Sequence, residues 1–198
     1  MRPQVPRRLV ILTEGQFGPH SGKTAFGVLR YGHDEVVAVL DSTLAGRNVG
    51  EWIPGRDVPI VGTLDEALEM PGPRPDILLI GIAPTGGRLP DEWRPILHHA
   101  IEAGLELHSG LHTFLGDDPE LSAAAAIAGT HIVDYRRPPE RFETAVGRRH
   151  GPGKRVILTV GTDCAIGKMS VALELRNAGR AAGDSVSFVP TGQTGIMI

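Results

Sequence analysis

The 198 residues contain a single cysteine, Cys164. One thiol cannot close an internal disulfide, so a reducing cytoplasm is the expected location. A basic excess is also missing: 20 Lys and Arg stand against 23 Asp and Glu, a net charge of −3. That balance gives no reason to expect nucleic acid as a partner. Long apolar runs are absent too. The longest, Ile77 to Pro84, is far short of the roughly 20 residues that span a membrane, so no membrane partner is expected. The basic start (Arg2, Arg7, Arg8) leads into a short apolar run that reaches Thr13-Glu14. It has no extended apolar region and no small-residue cleavage site, so no signal peptide is expected.

Lysine is scarce as well. Only Lys23, Lys154 and Lys168 occur, and each follows a glycine. Codon bias accounts for an arginine excess. Yet where arginine is the default cation, a retained lysine marks a place suited to a compact ammonium. What the chain does have is glycine and proline, 26 and 16 residues, with 41% apolar residues. The apolar share suffices for packed cores and argues against global disorder.

The apolar residues fall in strand-length runs at Leu9–Leu12, Glu35–Leu40, Ile77–Ile82, Leu105–Leu107, His131–Val133, Val156–Val160 and Val186–Val189. Several are continuously apolar, as strands buried on both faces require. Helical stretches lie between them. Ser21 to Tyr31 follows the first strand. Thr63 to Glu66 has capping-box spacing. Pro90 to Ala103 ends at Gly104, Pro119 to Ala128 at Gly129, and Met169 to Ala182 at Gly183, the helix-stop pattern. Strands alternating with helices of this length predict an α/β protein with a mainly parallel, Rossmann-like sheet.

The stretch Arg136 to Arg155, with Arg-Arg-Pro-Pro and Gly-Arg-Arg-His-Gly-Pro-Gly-Lys, breaks the rhythm and reads as a linker. The organisation expected is a Rossmann-like domain over 1–140, a linker over 141–153, and the N-terminal part of a P-loop NTPase-like α/β domain over 154–198. Two strands and one helix make a poor independent core. The second domain therefore reads as truncated, or as docked on the first domain or on a partner.

The strongest chemical signal is Val156-Ile-Leu-Thr-Val-Gly161-Thr162-Asp163-Cys164-Ala165-Ile166-Gly167-Lys168-Met169-Ser170. An apolar strand runs into a Gly-bounded loop, then Gly-Lys, then a helix. Backbone N–H groups of such a loop form an anion nest, the helix N-terminus adds positive potential, and the lysine adds a point charge. An ordinary strand–helix turn is the competing reading. The spacing departs from the usual phosphate loop. Five residues separate Gly161 from Gly167 instead of four, and Met169 stands where a Mg²⁺-binding hydroxyl is usual. Ser170 lies about 100° further round the helix. Phosphate recognition is therefore better supported than Mg·ATP hydrolysis. The second apolar run ends in Thr191-Gly-Gln193-Thr194-Gly. Ligands sit at the carboxyl ends of parallel strands, so Thr191, Gln193 and Thr194 are expected near the Lys168 loop, holding a carboxylate or amide. A glycine-rich turn is the alternative.

In the first domain, Gly22-Lys23-Thr24 resembles the end of a phosphate loop, but Phe17 occupies the position of the upstream glycine. Asp41 ends the second strand where a ribose-binding acid would stand. The Gly-x-Gly start of a dinucleotide fingerprint is missing, so a cofactor-free scaffold competes with a nucleotide site. Thr85, Gly86, Gly87 and Arg88 form a candidate anion cradle. His108 and His112 are candidate general bases. With no convincing third ligand, no metal site is predicted. Cys164 reads as a small loop-filling residue, or as a thiol with its pKa lowered by the helix N-terminus.

The Gly161-Thr-Asp…Gly-Lys form is similar to the loop of dethiobiotin synthetase and its relatives. Taken with Glu14-Gly-Gln-Phe-Gly-Pro, Lys23-Thr24, Asp41-Ser-Thr, Gly81-Ile-Ala-Pro-Thr-Gly-Gly, His108-Ser-Gly-Leu-His-Thr-Phe and Thr191-Gly-Gln-Thr-Gly-Ile-Met-Ile, it resembles a bacterial and archaeal family of unknown function. That family has a Rossmann-like N-terminal domain and a P-loop-like C-terminal domain, and some members are D-glutamate N-acetyltransferases. The resemblance implies acetyl transfer from acetyl-CoA to the amine of an acidic D-amino acid such as D-glutamate, with basic residues such as Arg88 holding carboxylates. It also implies chains longer than this one. Two alternatives stand beside it: an ATP- and Mg-dependent ligase or kinase of the dethiobiotin synthetase type, and a non-catalytic nucleotide- or CoA-binding module. The partners expected are a small-molecule substrate and, in a homo-oligomer, further copies of the chain.

Overall fold

A computed structural model describes residues 6–82, 88–141, 147, 150–163 and 166–198. Six strands form one parallel sheet: β1 (Arg8–Leu12), β2 (Glu35–Leu40), β3 (Ile60–Val61), β4 (Ile77–Ile80), β5 (Glu106–Ser109) and β6 (Ile132–Asp134). Their order is β3-β2-β1-β4-β5-β6. This is the order of a doubly wound dinucleotide-binding fold, with its switch point between β1 and β4. The expected α/β, Rossmann-like architecture is the one present.

The helices are α1 (Lys23–Tyr31), α2 (Leu64–Leu68), α3 (Arg94–Glu102), α4 (Pro119–Ala128), α5 (Lys168–Ala181) and α6 (Gln193–Ile196). Their ends follow local chemistry. The Thr63 hydroxyl accepts from Glu66 N, while the Glu66 carboxylate accepts from Gly62 N. Asp118 caps α4 through the N–H groups of Glu120 and Leu121, and Gly129 closes it in the left-handed region, φ 70°. α3 is shorter than the sequence predicts, because its first turn is a tight 3₁₀ turn at Asp91–Trp93.

Strand residues alternate between two cores. Val10, Leu12, Leu78, Ile80 and Leu107 pack with Leu97 and Ile101 of α3 and Leu121 of α4. Leu9, Ile11, Ile77 and Leu79 pack with Ala25, Phe26, Val28 and Leu29 of α1. Burial on both faces explains why β1 and β4 are continuously apolar. Gly81 lets α1 approach the sheet: Ala25 N donates to its carbonyl at 2.7 Å, and a Cβ there would stand 2.3 Å from Ile11 Cγ2 and 3.0 Å from Ala25 Cβ.

Two compact units result. One takes the chain up to Arg136 together with Gly192–Ile198; the other is Arg137–Thr191. The second carries α5, whose Gly179 meets Val186 and whose Arg180 donates to the Val186 carbonyl. The predicted strands at Val156–Val160 and Val186–Val189 do not form: they pair with no strand among the described residues. Sequence marks these runs as strands, but a strand needs neighbours to take its backbone groups. The described residues of this unit supply none.

Candidate functional site

The carboxyl edge of the sheet is built around Asp41. Its carboxylate is fully buried and accepts from Phe17 N at 3.1 Å, Thr13 Oγ1 at 3.3 Å, and both Thr43 N and Thr43 Oγ1. Gln16 N goes to the Thr13 carbonyl and Gly22 N to the Gly18 carbonyl. Phe17, where a phosphate loop needs glycine, is a core plug against Phe26 and Trp52, with ring centroids 5.0 and 5.2 Å away. The N–H groups of Gln16, Phe17 and Gly22, which a phosphate cradle at this turn would use, are thus bonded to protein acceptors. Asp41, read as a ribose-binding acid, instead pins the β1–α1 turn to the end of β2. Lys23 is exposed and Thr24 buried at the start of α1.

Thr24 meets the end of the chain. Its hydroxyl accepts from Gln193 Nε2 at 3.1 Å and lies 3.2 Å from Thr194 Oγ1. Arg136 Nη1 donates to Gln193 Oε1 at 3.5 Å. Gly110, just past β5, has no room for a side chain: a Cβ would sit 2.5 Å from Met197 Cε and 3.2 Å from Gln193 Cβ. α6 therefore occupies the edge where doubly wound sheets take ligands. Gln193 and Thr194 belong to the first unit. Thr191 is exposed at the end of the second unit.

The two candidate bases have different environments. His112 is exposed in the loop after β5. His108 is only 2% exposed, and both ring nitrogens are engaged: Nε2 with Glu106 Oε2 at 2.9 Å and Nδ1 with the Tyr135 hydroxyl at 2.8 Å. Glu106 also pairs with Arg7 at 3.7 Å, and Arg7 with Asp34 at 3.6 Å. Burial pushes the His108 imidazole below its usual pKa, against the opposing pull of the Glu106 carboxylate. Neutral, buried and bonded at both nitrogens, His108 is a structural link between β5 and β6 and not an accessible base. Strand spacing of two predicts that Glu106 and His108 share a face; nothing in the sequence points to Tyr135.

The described residues around Lys168 are arranged as follows. Gly167 adopts φ +94° and opens α5, whose first turn holds no acidic residue and no side-chain cap. Lys168 Nζ donates to the Asp163 carbonyl. Gly161 is closely covered: a Cβ there would stand 2.2 Å from Ile166 Cδ1 and 3.4 Å from Lys168 Cδ. Met169 and Ser170 lie half-buried in the first turn, and Thr162 is exposed. Arg88 is exposed just before the Asp91–Trp93 turn. Thr85, Gly86, Gly87, Cys164 and Ala165 lie outside the described residues. Among the described residues, no group of three or more His, Cys, Asp or Glu could hold a metal ion, and no helix is long and apolar enough to cross a membrane.

Comparison with known proteins places these features in one family. Residues 42–138 match the domain of unknown function DUF1611_N, a Rossmann-like domain, and residues 143–198 match its companion DUF1611_C, a P-loop domain. The chain is 37% identical over 178 residues to a D-glutamate N-acetyltransferase of Tritonibacter scottomollicae, covering 90% of this chain and 50% of that protein. It is 42% identical over 120 residues to a D-glutamate N-acetyltransferase of a Pseudoalteromonas species, covering 61% of this chain and 36% of that one. The crystal structure of a DUF1611 family protein from Anabaena variabilis superposes with a TM-score of 0.84 at 41% identity, over 96% of this chain and 55% of that chain. The chain thus spans about half the length of the first of these relatives.

Proposed function

We propose that this chain, which belongs to the DUF1611 family, supplies the donor-binding loop of an N-acetyltransferase acting on an acidic amino acid, D-glutamate in the first instance. The observation that carries this reading is the Lys168 loop: a left-handed Gly167, a lysine and an uncapped helix start, with Met169 in place of the Mg²⁺-binding hydroxyl. Coenzyme A carries a pyrophosphate and a 3′-phosphate. A loop that binds phosphates without organising Mg²⁺ suits a donor whose phosphates are held and not cleaved. The names of the two curated relatives supply the acceptor class.

In the reaction the acceptor amine attacks the thioester carbonyl. A C–N bond forms, the C–S bond breaks, the amine gives up a proton to a base, and coenzyme A leaves as the thiol. The base must be accessible. Of the two histidines that is His112, with His108 confined to the interior. Exposed Arg88 and Lys23 are the cations proposed to meet the acceptor carboxylates.

The test is thiol release from acetyl-CoA in the presence of D-glutamate, followed with the N-acetylated product. Release that depends on D-glutamate is expected; no release above background with any acidic amino acid overturns the reading. The five-residue spacing between Gly161 and Gly167 favours a second reading, an ATP-dependent ligase or kinase of the dethiobiotin synthetase type. Mg·ATP binding that is lost in Lys168→Ala, without binding of coenzyme A, is the result that selects it.

A further inference from the structure

The carboxyl ends of β5 and β6 present two exposed groups side by side. The strands run in register, with Ser109 beside Asp134, and Tyr135 N donates to the Ser109 carbonyl at 2.8 Å. His112 follows Ser109 by three residues and Arg136 follows Asp134 by two. Both therefore emerge from neighbouring strand ends of the first unit. This is the edge at which parallel α/β sheets take ligands.

The loop that carries His112 is pinned at both flanks. The Ser109 hydroxyl accepts from Leu111 N at 3.1 Å. The two Asp134 carboxylate oxygens accept from Leu115 N and Gly116 N, each at 2.9 Å. Leu111 and Leu115 are buried, and His112 and Thr113 stand exposed between them. A side chain carried between such anchors is presented in one geometry, as a reacting group requires.

Arg136 is aimed by a different device. It is exposed, and its Nη1 donates to Gln193 Oε1 at 3.5 Å, the long limit of a hydrogen bond. A guanidinium donates and never accepts. The contact therefore sets which way the Gln193 amide faces: Oε1 toward Arg136, and Nε2 toward the buried Thr24 hydroxyl. Gln193 also packs on the end of β5, where a Cβ on Gly110 would come within 3.2 Å of Gln193 Cβ. Arg7, Arg8, Arg47 and Arg94 each face a carboxylate. Arg136 faces a neutral carbonyl, so among the described residues its charge is oriented and not neutralised. A planar fork in that state suits bidentate capture of a carboxylate.

We propose that Arg136 captures a carboxylate of the acceptor, in a subsite over the ends of β5 and β6 that it shares with His112, and that Gln193 is its positioning residue. The proposal rests on the acetyl-transfer reading above and adds the residue that makes an acid a better acceptor than its amide.

The test is thiol release from acetyl-CoA with three acceptors: D-glutamate, D-glutamine without the side-chain carboxylate, and D-isoglutamine without the α-carboxylate. The wild type prefers D-glutamate to at least one amide, and that amide identifies the carboxylate Arg136 holds. Arg136→Ala raises KM for D-glutamate at least about tenfold, the scale of one charge-assisted bond, and changes KM for that amide less than about twofold. Arg136→Lys restores part of the preference. Gln193→Glu separates recognition from structure. The new carboxylate keeps a bond to Arg136 and accepts from the Thr24 hydroxyl, so the urea midpoint holds, while the neutralised guanidinium loses the preference. Arg74→Ala, at an exposed residue ahead of β4 on the opposite edge of the sheet, changes neither. A wild type indifferent to both amides, a preference intact in Arg136→Ala or Gln193→Glu, or a fall in kcat equal for all three acceptors overturns the assignment of Arg136 and leaves acetyl transfer standing. No thiol release from the wild type with any acidic amino acid overturns the acetyl-transfer reading, and the assignment with it.

Discussion

Gln193 donates its side-chain amide to the hydroxyl of Thr24 at 3.1 Å, joining positions 169 residues apart. The bond seats the chain's last helix on its first. Arg136 donates to the same Gln193, a second bond within the first unit. Thr24→Val keeps the shape and removes the bond. We expect amides of 193–197 to exchange severalfold faster and unfolding to cost about 1 kcal/mol less. Unchanged exchange at these amides would contradict the seat.

At Gly81 helix α1 comes close to the sheet, and a side chain there would be hemmed by Ile11, Ala25 and Thr13. Gly81→Ala must push apart β1 and α1. A loss of about 1–3 kcal/mol is expected, read as a fall in the urea midpoint. Gly18→Ala, with open space around it, should change stability by less than about 0.5 kcal/mol.

The lowered pKa of His108 gives a pH dependence of definite sign. Burial disfavours the imidazolium in the folded state, so the unfolded chain binds the proton more readily. Stability is full above the unfolded pKa of about 6.5 and falls as the pH drops below it. Melting temperatures at pH 7.5 and 5.5 should show this decline in the wild type and a smaller one in His108→Gln. Equal declines would mean that another group carries the effect.

The parallel fold was legible because both faces of β1, β2 and β4 are buried, which writes itself into the sequence as unbroken apolar runs. β3 is two residues long, Ile60–Val61, too short to leave a period. Asp41 was singled out by its place at a strand end, but its role depends on Thr13 and Phe17, brought in by a turn whose course no spacing rule specifies. The same holds for Gln193: its sequence neighbours pointed to a loop near Lys168, whereas its contacts follow from the space left at Gly110. The runs at 156–160 and 186–189 mark the opposite case. Their sequence describes a sheet environment that the described residues of this chain do not contain.

Asp118 both caps α4 and pairs with Arg94, which holds its carboxyl below the usual range. Asp118→Ala removes the cap and should cost about 0.5–2 kcal/mol. Asp118→Asn keeps a capping oxygen and should cost less. The comparison of the two midpoints separates cap from ion pair.

The phosphate-site reading depends on one ammonium. Lys168→Ala should weaken coenzyme A binding by roughly 10–100-fold, the scale of a lost charge-assisted bond. Lys154→Ala, in the exposed connection, should leave binding unchanged. The most direct measurement is therefore calorimetric titration of coenzyme A, without Mg²⁺, into the wild-type and Lys168→Ala forms of the protein. The account predicts Mg²⁺-independent binding that Lys168→Ala weakens by roughly 10–100-fold. Binding of Mg·ATP in its place, or coenzyme A binding indifferent to Lys168, would contradict it.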